Sequence, residues 1–152
     1  MAKPKKSDTS LEALEQLPGY LFRRLHQTAV AKFMVEAEKF GITPVQWAIL
    51  FAVHKTPGLD QSMLSREIAL DASTVGSVLD RLESRQFIRR EIAAHDRRLK
   101  ILFLTEDGNQ LLTQASPVVL DMQDWLLSPL TPKERVQFTQ WMLKLINRHE
   151  EI

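Results

Sequence analysis

The chain has 152 residues, of which 44% are hydrophobic and 26% charged, with only five glycines; this is enough to bury one core, or two small lobes sharing a core, without covalent staples. It has no cysteine, which excludes disulfides, thiolate redox sensing and cysteine-based zinc sites, and His26, His54, His95 and His149 are too scattered for a metal site. Net charge is +1. No run is apolar for long enough to span a bilayer and no apolar signal segment opens the chain, so the expected compartment is the cytoplasm.

Residues 1–10, with Lys3, Lys5 and Lys6, read as a disordered basic arm. Thr9 and Glu12 have the spacing of a capping box for a short helix that Pro18-Gly19 interrupts or bends. Leu21, Leu25, Ala29, Phe33, Ala37 and Phe40 recur near a 3.6 period and predict a long amphipathic helix over Tyr20–Phe40, ended by Gly41. Thr43-Pro44-Val45-Gln46 starts the next helix with a cap, a proline at the first helical position and a glutamine three residues on. That helix is apolar nearly all round from Val45 to Val53, hence central, and Pro57-Gly58 stops it.

Asp60 can cap a short helix from Gln61 to about Ala69, and Asp71 another from Ala72 to about Ser84, which together suggest a helix-turn-helix. The second has two unlike faces. Val75, Val78, Leu79 and Leu82 point inward, whereas Ser73, Thr74, Ser77, Asp80, Arg81, Ser84 and Arg85 point out. Short hydroxyls and Gly76 would let its backbone approach another surface closely, and hydroxyl and guanidinium groups bond base edges or phosphates.

Phe87–Ile92 and Leu99–Leu104 read as two strands joined by Ala93–Arg98, so that arginines sit at a hairpin tip. From Asp80 to Lys100 there are seven basic and four acidic side chains, a local +3 against −2 for the rest of the chain. Such a segment on a near-neutral body is the footprint of a nucleic-acid binder, although a charge run is more often a solvated face. Thr105 with Gly108 opens a helix carrying Leu111, Leu112, Ala115, Val118, Val119, Met122, Trp125 and Leu126, with a kink expected at Pro117. Thr131-Pro132-Lys133-Glu134 opens the last, striped by Phe138, Trp141, Met142, Leu145 and Ile146. These terminal helices offer more apolar surface than a small domain covers, which points to a homodimer.

The run Leu64–Gly108, and above all Asp96-Arg97-Arg98 followed by Leu104-Thr105-Glu106-Asp107-Gly108, strongly resembles the MarR family of bacterial transcription regulators, and the resemblance extends from about Leu17 to His149. It implies a mainly α fold with a small β-hairpin wing: a winged helix-turn-helix over residues 42–108, with a helical dimerisation region from 11–41 and 109–150. It implies a homodimer on a pseudo-palindromic operator of double-stranded DNA, usually a repressor released by a small molecule. Carried over by position, Ser73, Thr74, Ser77 and Arg81 face the major groove. Arg98 enters the minor groove with Arg97 beside it, and Asp96 orients the wing. The family usually has glycine where this chain has Gln86; a left-handed residue there costs roughly 1 kcal/mol without glycine.

The same resemblance places an effector pocket, commonly for phenolic or aromatic carboxylates, at the junction of the two lobes. Tyr20, Arg24, His26, Trp47, Phe51 and His54 are the candidate lining, with Arg24 pairing a carboxylate and Trp47 stacking on a ring; the plainer reading is that Arg24 answers a neighbouring acid and Trp47 is core. The absence of cysteine removes thiol oxidation as a trigger. No cofactor or metal is expected, and no catalytic residue: His54, Asp60 and Ser62 or Ser65 lie near one another in sequence, but no nucleophile elbow, phosphate loop or H-E-x-x-H accompanies them. An activator, or a winged helix used only to meet an acidic protein, is the alternative.

Overall fold

The computed structural model describes residues 11–94 and 96–149, so the basic arm of residues 1–10, Thr9 and His95 lie outside the described residues. The elements run α1 (Pro18–Glu36), α2 (Pro44–Lys55), α3 (Gln61–Glu67), α4 (Ala72–Ser84), β1 (Ile88–Ala93), β2 (Asp96–Leu104), α5 (Glu106–Leu126) and α6 (Pro132–His149). Two short 3-10 helices, Leu11–Gln16 and Glu38–Phe40, flank α1. The fold is mainly α with one antiparallel hairpin, a winged helix. No helix among the described residues is long and apolar enough to cross a membrane.

Side-chain caps set most helix starts. Thr43 and Gln46 form a reciprocal capping box on α2, and Asp60, Asp71 and Thr105 accept from the backbone N–H of Met63, Thr74 and Gly108. Before α6 the Glu134 carboxylate accepts from both N and Oγ1 of Thr131, at 2.8 Å each; the backbone bond foremost, then the hydroxyl, holds its pKa down. Pro18 opens α1 rather than interrupting a helix, because a missing N–H is harmless in the first turn. α1 stops at Glu36, short of the expected Phe40: the chain tightens into the 3-10 turn Glu38–Phe40, then turns at Gly41 with φ +59°. α5 continues through Pro117, which leaves the Thr113 carbonyl without its helical N–H donor.

Two cores result. In the first, Ile49, Leu50 and Val53 of α2 pack with Leu64 of α3, Val75, Leu79 and Leu82 of α4 and the hairpin residues Ile88 and Leu102. In the second, Phe33, Ala37 and Ile42 pack with Ala115, Val119 and Met122 of α5. Trp47 and Leu111 pack against both. By contrast, α6 has no buried residue among those whose burial is described; Val136, Trp141, Leu143, Leu145 and Ile146 are exposed on it, as are Leu21 and Phe22 on α1. Phe22, Met142, Leu145 and Ile146 line one wholly apolar groove.

The end of α4 is locked to the start of α5. Gln86 takes φ +61°, and Phe87 N–H returns to Leu82 O at 2.9 Å. Thr105 then donates twice across the joint, from N to Phe87 O at 3.1 Å and from Oγ1 to Gln86 O at 2.5 Å. Gly108 sits so close beneath that a Cβ there would lie 1.9 Å from Phe87 O. A second non-glycine residue with positive φ, Ala69 at +52° in the turn between α3 and α4, has no sequence signal.

Because the Gly108 clash is with backbone, no side chain can swing aside to relieve it. Gly108→Ala is therefore expected to destabilise the fold by about 3 kcal/mol, the upper end for overpacking. A calorimetric midpoint lowered by roughly 10 °C would show it.

Candidate nucleic-acid interface

On α4 the inward stripe Val75, Leu79 and Leu82 is buried, which leaves Ser73, Thr74, Ser77 and Arg81 exposed on the opposite face, as their spacing predicts. The N-terminal end of that face is ordered by Asp71. Its carboxylate accepts from Ser73 Oγ at 2.6 Å, Thr74 Oγ1 at 2.6 Å and Thr74 N at 2.9 Å. The Ser73 hydroxyl first, then the Thr74 hydroxyl and N–H, push its pKa well below the ordinary value near 3.8. Gly76 has a nearer neighbour than any ligand: a Cβ there would stand 3.1 Å from Gln61 Nε2, which donates to Ala72 O at 2.9 Å and ties α3 to α4.

The seven basic residues of the 80–100 segment divide into two groups. Arg85 donates to Gly41 O at 2.7 Å and lies over the Phe87 ring. Arg89 pairs with Glu91 at 2.8 Å over Phe103. Arg90, only 18% exposed, reaches from β1 to Asp80 at 2.7 Å and Glu83 at 2.8 Å, so it clamps the hairpin to α4 and masks both of that helix's carboxylates. The other four, Arg81, Arg97, Arg98 and Lys100, are exposed, and their side chains have no ion pair, hydrogen bond or ring contact among the described residues. Positive charge without a partner on α4 and on the hairpin is thus left to these four.

The hairpin differs from the expected one. β2 begins at Asp96 instead of Leu99, so Arg97 and Arg98 belong to a strand and not to a six-residue loop. Ile92 pairs with Lys100 and Ala93 with Asp96, which leaves Arg97, Arg98 and Leu99 as an irregular outward swelling of β2. Asp96 supports it by accepting from Arg98 N at 2.9 Å. A side-chain acceptor that replaces a ladder partner is hard to foresee from alternation alone.

Between α1, α2 and α5 lies a second feature, a cavity of about 240 Å³ lined by His26, Ala29, Val30, Phe33, Pro44, Trp47, Ala48, Val119, Met122 and Gln123. Of the expected lining it has His26 and Trp47. Tyr20 and Arg24 are not part of it: Arg24 stands 6.0 Å over the Tyr20 ring, a turn before the cavity. Phe51 is 45% exposed and stacks on Trp47 from outside the lining, with ring centroids 5.2 Å apart. His54 meets Asn109 Oδ1 at 3.2 Å instead. Trp47 Nε1 is buried without a hydrogen-bond partner, a state that costs roughly 1–3 kcal/mol. The α5 residues were missed because their stripe reads only as core.

A profile of the MarR family matches residues 40–99, from the end of the Glu38–Phe40 turn into the wing. The transcriptional regulator HosA of Escherichia coli O157:H7 is 30% identical over 125 residues, which cover 82% of this chain and 91% of HosA. The chain belongs to the MarR family. Among solved MarR-like structures, the transcriptional repressor CouR bound to a 23-mer DNA duplex matches with TM-score 0.84 and 25% identity over 92% of this chain and 99% of that one. BpsR of Bordetella bronchiseptica, whose DNA binding is regulated by 6-hydroxynicotinic acid, matches with TM-score 0.80 and 25% identity over 94% and 97%. A MarR-family chain with this fold is a DNA-binding transcription regulator and not an enzyme.

The Arg90 clamp gives a stability prediction. Its partners are 71% and 40% exposed, so Arg90→Met should cost no more than about 1 kcal/mol in denaturant unfolding. Amide exchange at the β1–β2 tip should nevertheless accelerate, because the tie from wing to α4 is gone.

Proposed function

We propose that two copies of the chain pair through α1 and α6 and, in the cytoplasm, repress transcription from a pseudo-palindromic operator until a small aromatic acid releases them. The observation that carries the DNA reading is the division of the basic residues: the side chains of Arg81 on α4 and of Arg97, Arg98 and Lys100 on the wing are unengaged among the described residues. In this reading α4 lies in the major groove, with Ser73, Thr74, Ser77 and Arg81 toward the bases. Arg98 and Arg97 enter the minor groove, and Asp96 positions them through the Arg98 N–H. The pairing reading is supported by the exposed apolar stripe of α6 and its shared groove with Phe22. A two-fold axis through those helices sets half-sites about one turn, roughly 10 bp, apart.

The effector reading is supported by the cavity. An apolar void of about 150 Å³ admits benzene, so a cavity of about 240 Å³ suits one substituted ring. Trp47 lines the cavity with an aromatic ring, and His26 and Gln123 supply polar groups. BpsR's 6-hydroxynicotinic acid is a pyridine carboxylic acid, and CouR is described as a repressor. Release requires only that the acid bind more tightly to a dimer mis-spaced for the operator.

Footprinting on the DNA upstream of the chain's own gene should show two protected half-sites about 10 bp apart. Arg98→Ala should weaken binding and lower the slope of log affinity against log salt by about 1; an unchanged slope would remove Arg98 from the interface. In a thermal-shift panel of aromatic acids, at least one should stabilise the protein at millimolar concentration and free it from DNA. Trp47→Phe should abolish that shift and Arg24→Ala leave it intact.

A further inference from the structure

Asp71 does more than begin a helix. A carboxylate has no proton to donate, so in the two 2.6 Å contacts with Ser73 Oγ and Thr74 Oγ1 the hydroxyls are the donors. Each hydroxyl owns one proton. With that proton committed to Asp71, both side chains present only lone pairs to anything that approaches from outside. Ser77, one turn further along the same exposed face, makes no such bond among the described residues and keeps a freely rotating hydroxyl.

We propose that Asp71 is a specificity-determining residue, which makes Ser73 and Thr74 obligate acceptors and so requires the operator bases facing them to offer an amino group. The inference rests on the reading of α4 as the major-groove helix. In that groove only adenine N6 and cytosine N4 are hydrogen-bond donors, whereas guanine O6 and N7 and thymine O4 accept. Phosphate oxygens also accept only, so the two hydroxyls are not phosphate anchors, and the charge on Asp71 repels phosphate from the end of α4. Neutralising the backbone charge then falls to Arg81, Arg97, Arg98 and Lys100, whose side chains have no partner among the described residues. Bonds to an ionised acceptor are roughly twice as strong as neutral ones. Turning a hydroxyl from Asp71 toward guanine or thymine therefore loses more than it gains. Low pH gives no escape within the range where a duplex is handled, because the bonds that hold the Asp71 pKa down keep it ionised there.

The test begins with selection of half-sites from a randomised duplex library by the full-length wild-type protein. Adenine or cytosine is expected at the two positions contacted from the start of α4. Replacing the selected adenine by purine, or cytosine by 2-pyrimidinone, removes the amino group and should weaken binding about fivefold or more at each position. Asp71→Gly, a tolerated N-cap, frees both hydroxyls and should reduce that loss to less than about twofold by the same scale. Asp71→Asn keeps one acceptor, pinned by Thr74 N, and turns a donor toward Thr74 Oγ1; discrimination should relax at the Thr74 position and persist at the Ser73 position. Preference at the Ser77 position should not change in either variant. Guanine or thymine selected at the Ser73 and Thr74 positions, indifference to amino removal, or equal relaxation at all three positions would overturn the proposal while leaving operator binding intact. Absence of any selected site would overturn the operator reading itself.

Discussion

Four elements of this molecule meet at one peptide, that between Phe87 and Ile88. Its carbonyl accepts from Thr105 N, and Gly108 leaves it the room to do so. The preceding carbonyl, of Gln86, takes the Thr105 hydroxyl. The C-terminal end of α4, both strands of the hairpin and the first turn of α5 therefore share one hydrogen-bonded joint. A helix could in principle pivot against a hairpin on apolar contacts alone; here backbone bonds remove that freedom. The left-handed Gln86 belongs to the same joint. Its strain of roughly 1 kcal/mol is held by the Thr105 bond to its carbonyl and by the returns of its own N–H and that of Phe87 to α4.

Electrostatics is arranged around that joint by a division of labour among like residues. Arg85, Arg89 and Arg90 fasten the region internally: to the Gly41 turn, along the sheet, and from wing to α4. By taking up Asp80 and Glu83, Arg90 also keeps two carboxylates from opposing the field of Arg81 on the same helix. A local charge of +3 between residues 80 and 100 thus understates how clearly the surface is sorted, because Asp80, Glu83 and Glu91 are paired with Arg89 and Arg90. Four cations are left outward.

How much of this could be read from residues alone depended on whether the signal was local. Thr43, Asp60, Asp71, Thr105 and Thr131 start helices where the spacing of their side chains says they should, because a cap is decided within three residues. The αL position of Gln86 was visible only through the resemblance, and that of Ala69 not at all, since alanine gives no hint of positive φ. The fates of Arg85 and Arg90 depend on partners 44 and 10 residues away, beyond any periodicity. The same holds for the cavity. Of the expected residues His26 and Trp47 border it, whereas the charge of Arg24 and the rings of Tyr20 and Phe51 do not. A helix face cannot be assigned to within one side chain until the partner helix is known.

The place of Trp47 bears on how the proposed effector would be felt at DNA. Its ring packs against both hydrophobic cores while its buried indole N–H has no acceptor among the described residues. Cores packed to crystalline density shift as units and do not deform smoothly. An occupant that fills the cavity would act on α1 and α5 through Phe33, Val119 and Met122, which line it with Trp47. Through α5 it acts on the Thr105–Gly108 turn, and hence on the joint at Phe87. The route is a continuous set of packed and hydrogen-bonded groups ending at α4 and the wing. The joint is stiff, so the relative placement of α4 and α5 within one chain changes little. In the proposed dimer, the degree of freedom that remains is the angle at which α1 and α6 set one copy against its partner, and that angle would fix the distance between the two α4 helices. In the proposed dimer a rigid joint would therefore turn a small change near the pairing helices into a change in half-site spacing.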